Sequence, residues 1–102
     1  MIIQAIVDTP AEFPGGDKAF QKYLKSCIDH INVDTHISFN FVVDRNGNVV
    51  NIKMTNGFSR DFDHAFIMKI YKMPRWKPAM NQGKVVSVQR VVNLHLENII
   101  IK

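Results

Sequence analysis

The stretch HISFNFVVDRNGNVVNIKMT, residues 36–55, limits the folds open to this chain more than any other. Ile37, Phe39, Phe41 and Val43 recur at every second position. Val50, Ile52 and Met54 do the same after Asn46-Gly47. Alternation of period two marks a strand with one buried face, and Asn-Gly between two such runs marks a hairpin. A two-residue loop at 46–47 pairs Val43 with Val50, Phe41 with Ile52 and Phe39 with Met54. All six then share one face. A three-residue loop would set Phe41 opposite Asn51 and mix the faces. A slip of one residue turns every side chain over, so the spacing predicts the two-residue loop.

Helical periodicity flanks the hairpin. Ala19, Phe20, Tyr23, Leu24, Cys27 and Ile28 form one apolar stripe within Asp17–Ile28, with Lys18, Gln21, Lys22 and Lys25 outward. Phe62, Phe66, Ile70 and Met73 mark a second helix over Asp61–Met73, which Pro74 ends. Asn81-Gln82-Gly83 reads as a turn. Val86, Val88, Val92, Leu94 and Leu96 then predict a long strand over Lys84–Glu97, with Arg90 interrupting the apolar phase. A right-handed crossover sets this last strand beside the first. The expected fold is α+β: a three-stranded antiparallel sheet in order 2-1-3, with both helices on one face. The last strand is then a long edge with few features that blunt it.

Composition fits one soluble domain over residues 1–102, with 1–16 as an arm or short strand. An apolar fraction of 46% against 22% charged argues for a packed core rather than disorder. The net charge of +4 suits an acidic partner. The basic residues are scattered, which argues against a nucleic-acid footprint. Cys27 is the single cysteine, so no intrachain disulfide can form. Met1–Val7 is too short an apolar run to span a membrane.

Catalytic signatures are weak. His30, His36, His64 and His95 make no metal-binding spacing. Asp61 and Asp63 read as carboxylates that favour a helix N-terminus. Gly15-Gly16 before a helix is a faint phosphate signal. Ser59 has no nucleophile context. The expectation is a protein that is not an enzyme and uses no metal or cofactor.

AEFPGG, KAFQKYL, FNFVVDRNGNVVNIKM, DFDHAF and MPRWKPAMNQGKVV follow one another along the chain. In that order they resemble the TonB C-terminal domain, in the form common in Bacteroidetes-type energy transducers. SCIDHINVDTH, residues 26–36, departs from the family's usual Tyr-Pro and short helical stretch. The resemblance implies a periplasmic domain tethered to the inner membrane and coupled to a proton motor through a further N-terminal part. It would grip the TonB box of an outer-membrane transporter by strand addition, which is β-augmentation. The expected contacts are Val85, Ser87, Gln89, Arg90, Val91 and Asn93, with a second copy of the chain as a further candidate for the same edge. Phe13, Pro14, Gly15, Gly16, Pro74, Trp76 and Pro78 would form the structural motif, with Trp76 capping the core near the end of the second helix. A related reading is a sensor or interaction module at the C-terminus of a membrane metallopeptidase.

Overall fold

The computed structural model describes residues 2–28 and 35–96. The elements are β1 (Ile3–Gln4), α1 (Asp17–Ser26), β2 (Thr35–Val43), β3 (Val49–Asn56), α2 (Arg60–Tyr71), β4 (Ala79–Asn81) and β5 (Lys84–Leu96). Glu97, the expected end of the last strand, and Met1 of the expected arm lie outside the described residues.

Local chemistry explains the helix boundaries. The PGG turn folds back before α1, with the Gly16 N–H donating to the Phe13 carbonyl at 2.7 Å. Gly15 and Gly16 hold φ of 91° and 87°, left-handed values that suit glycine. α1 is shorter than its apolar stripe. Cys27 ends it, and its N–H is shared between the carbonyls of Tyr23 and Leu24. At α2, the Ser59 hydroxyl accepts from the Phe62 N–H at 3.1 Å, an N-cap. The Asp63 carboxylate accepts from the Phe58 N–H at 2.9 Å, so it anchors the approach to the helix.

The hairpin forms, but not with a two-residue loop. The Asp44 N–H donates to the Asn48 carbonyl at 3.0 Å, which leaves a three-residue loop at 45–47, and Asp44 Oδ1 holds it by accepting from the N–H groups of both Asn46 and Asn48. Val43 therefore pairs with Val49, and Val42 with Val50. The expected Val43–Val50 and Phe41–Ile52 pairs do not form. Phe39 still pairs with Met54, because a bulge between Asn40 and Val42 takes up the slip. Asn51 lies opposite that break at φ 54°, the left-handed conformation a bulge residue can require. A second shift falls between Ser38 and Phe39. Bulges thus reconcile the loop with the hydrophobic phase.

The three expected strands are antiparallel neighbours, β3-β2-β5, but they form part of a larger mixed sheet of five strands among the described residues, not a three-stranded one. Its order is β1-β5-β2-β3, with β4 also paired to β5. β1 runs parallel to β5 and β4 antiparallel to it. Neither is long enough to show a period, so the sequence does not reveal either as a partner of β5. Ile37, Phe39, Phe41 and Val43 are fully buried. Phe39 meets Phe66 of α2 edge-on at 5.2 Å, and Phe41 meets Phe20 of α1 at 6.3 Å. Alternate residues of β2 therefore carry both helices on one face of the sheet.

Candidate partner-binding edge

β5 is thirteen residues long and is used differently along its length. Lys84, Val85 and Val86 pair with Asn81, Met80 and Ala79 of β4. Ser87 and Val88 pair with Ile3 and Gln4 of β1. From Val88 onward β5 pairs with β2, in one unbroken antiparallel register from Val43↔Val88 to Thr35↔Leu96. β1 and β2 lie on opposite sides of β5. From Gln89 to Leu94 the side of β5 away from β2 pairs with no strand among the described residues. Backbone donors and acceptors there have no ladder to join.

The sheet's other outer edge, β3, is a poorer template. Its pairing with β2 shifts register twice, and Lys53 sits within it. Bulges and lysines both discourage strand addition, whereas β5 is regular over the stretch that is open.

The expected contact residues separate by face. Val85, Gln89, Val91 and Asn93 are exposed, Val91 at 65%. Asn93 also turns across the sheet, where its Oδ1 accepts from the Ser38 hydroxyl at 2.7 Å. Ser87 departs from expectation: it is only 2% exposed and lies beside Ile3, so it offers no free surface in this state. Arg90 points to the helix side, with its guanidinium carbon 5.6 Å from the centre of the Trp76 ring. That stacking is a cation–π contact. It explains the break in apolar phase, since the arginine covers an aromatic rather than facing solvent alone. His36 and His95, paired across β2 and β5, stack at 4.2 Å, a contact that spacing could not reveal because it depends on the strand register.

The motif residues build the support beneath this edge. Trp76 is 2% exposed and stands among Phe13, Phe20 and Phe41, with ring centres 5.7, 5.0 and 5.5 Å away. Its aromatic neighbours are thus the FPGG turn, α1 and β2, rather than the end of α2. Phe13 also meets Phe20 and Tyr23. Pro74 and Pro78 bracket the chain as it leaves α2 and enters β4. Between them Lys77 exchanges two backbone hydrogen bonds with Glu12, and Met80 does so with Thr9. The arm, the proline-bracketed link and β5 are thereby tied into one body.

Among the described residues no group of three or more His, Cys, Asp or Glu side chains is placed to hold a metal. No helix among them is long and apolar enough to cross a membrane. The fold and this edge define an α+β domain that presents a strand. The family model for the Gram-negative bacterial TonB protein C-terminal domain matches residues 29–95, more than half of the chain. The chain belongs to this family, whose members are energy-transducer domains and not enzymes. FPGG and α1 precede the matched stretch, which contains the hairpin, α2, Trp76 and the described part of β5 up to His95. No curated protein matches the chain.

Proposed function

We propose that this chain is the periplasmic end of a TonB-like energy transducer. It takes a short extended segment of an outer-membrane transporter as an added strand on β5 and passes pulling work to it. One observation carries the reading: β5 keeps an unbroken register with β2 while its opposite side pairs with no described strand from Gln89 to Leu94. Gln89, Val91 and Asn93 flank the added strand, and Val85 lies beyond it. Main-chain hydrogen bonds supply the grip, which makes it tolerant of the partner's sequence. Strands slide apart only when a row of such bonds breaks together, and this suits a load applied along the strand. The inner-membrane tether and the coupling to a proton motor belong to the rest of the protein. The single buried cluster joining the FPGG turn, both helices and β5 supports treating the chain as one domain.

Titration of isotope-labelled chain with synthetic peptides tests this. The peptides copy periplasm-facing N-terminal segments of TonB-dependent transporters. Saturable amide shifts concentrated within residues 89–94 are expected. Shifts confined to α2, or no saturable change with any peptide, would overturn the proposal. A shift that grows with protein concentration alone would assign the edge to a second copy.

A further inference from the structure

The outer side of β5 is not open along its whole length. Ile3 and Gln4 lie beside Ser87 and Val88 and run parallel to them. The segment that supplies them, IIQAIV at residues 2–7, is rich in β-branched apolar residues that favour strands. Little burial holds it there, since Ile2 is 81%, Ile3 45% and Ile6 84% exposed. Two residues of pairing give few hydrogen bonds, and ordering the arm's backbone opposes them. The chain bends at residues 5 and 6. It is then fastened firmly, as Asp8 Oδ2 accepts from the Gln82 N–H at 2.7 Å, and Thr9 and Glu12 pair with Met80 and Lys77. The first residues can therefore leave β5 while residues 8–12 stay in place.

We infer that Ile2–Gln4 is a displaceable strand that occupies part of the partner edge and yields to an incoming apolar, β-branched strand. This rests on reading β5 as the partner surface. Displacement extends the open edge from Gln89–Leu94 back to Ser87. A partner strand that reaches only Gln89–Leu94 binds without disturbing the arm. A longer one must displace it, so its apparent affinity falls with the fraction of molecules whose arm is docked. The arm's own sequence shows what the edge accepts. In the same parallel register, a free copy of it would continue past Val88 along Gln89–Val92, where the tethered arm bends away.

The test uses the whole chain and its Ile3→Pro/Gln4→Pro variant, in which β1 loses its backbone donors. A second variant, Ile3→Gly/Gln4→Gly, loosens the same contact without fixing the backbone. The probe is a synthetic peptide Ile-Ile-Gln-Ala-Ile-Val-Asp, copying residues 2–8. Both variants should keep the parent's melting transition and exchange amide hydrogen faster within Ser87–Val88. They should bind the probe at least about tenfold more tightly than the parent, with shifts along Ser87–Val92. Equal affinity in parent and variants, or unchanged exchange at Ser87–Val88, would overturn the inference. If the variants take the probe while no transporter peptide binds any form, the displaceable arm stands and the transporter reading fails.

Discussion

The backbone N–H of Trp76 donates to the carbonyl of Gly47 at 2.8 Å, fastening the tip of the β2–β3 hairpin to the link between α2 and β4. The approach is so close that a Cβ on Gly47 would collide with the carbonyl oxygen of Trp76. Gly47 also holds φ at 83°, where other residues are strained. The glycine of the Asn-Gly turn thus serves the packing of the tryptophan as well as the turn.

Gly47→Ala should therefore destabilise the chain by more than backbone strain alone, at least about 2 kcal/mol. Gly83 is the internal control. Its φ is 78°, but nothing lies within 4 Å of its would-be Cβ. Gly83→Ala should cost only the left-handed conformation, about 1 kcal/mol. Urea unfolding of both variants measures the difference, and equal losses would show that the Trp76 contact adds nothing.

Trp76 sets the second prediction. Removing its side chain leaves a void among Phe13, Phe20 and Phe41 and strips Arg90 of the ring it covers. Trp76→Ala should cost roughly 3–5 kcal/mol and lower the melting temperature clearly. Trp76→Phe should cost much less. The indole Nε1 is buried without a hydrogen-bond partner, so the smaller ring loses contact area but also removes an unsatisfied donor. Calorimetric melting of the two variants separates brace from contact: unchanged melting with lost partner binding would make Trp76 a binding residue only.

The fold was legible where side-chain periodicity is long. Ile37 to Val43 announced a strand, and Phe62 to Ile70 a helix, because each pattern repeats several times over one face. β1 is legible only as an arm or short strand with no partner named, and β4 not at all, since strands of two and three residues carry no readable period. They matter most to the site, because one pairs with Ser87 and Val88 and the other with Lys84–Val86. The hairpin register failed for a different reason. Asn46-Gly47 is a strong turn signal, but the Asp44 carboxylate widens the loop through two backbone bonds. Asn51 then restores the phase by a left-handed bulge, which only three-dimensional pairing reveals.

Tyr23 makes the stability depend on alkaline pH. Its hydroxyl donates to the Lys69 carbonyl at 2.9 Å, joining α1 to α2. Burial pushes its pKa above the ordinary tyrosine value, and the nearby Cys27 adds to the shift. A raised folded-state value favours the neutral phenol in the native chain. Its contribution is then complete below the unfolded value and is lost as pH rises through the folded one. Stability should decline above about pH 10. Tyr23→Phe should be less stable at neutral pH, by about 1 kcal/mol for the lost bond, and flatter above pH 10. Denaturant midpoints across pH 8–11, about one unit apart, give the comparison, and a parallel decline in both proteins would remove Tyr23 as the cause.

The free side of β5 makes a prediction with a period of two. Along Gln89–Leu94 successive backbone N–H groups point alternately toward β2 and toward the open side. Proline removes one donor and leaves the rest of the strand in place. At positions that face β2 it breaks the ladder that holds β5 in the sheet, and should cost about 3 kcal/mol or more. At positions that face outward it removes no bond of the folded chain, so the melting temperature should fall much less. Outward positions should instead lose binding of a transporter peptide, while alanine at the same positions binds nearly as the parent does. A proline scan over these residues, read by melting temperature and by calorimetric binding, should show the two effects alternating residue by residue. Binding that survives proline at every outward position would exclude strand addition on this edge. Stability that falls equally at every position would mean that the outer side of β5 is already paired.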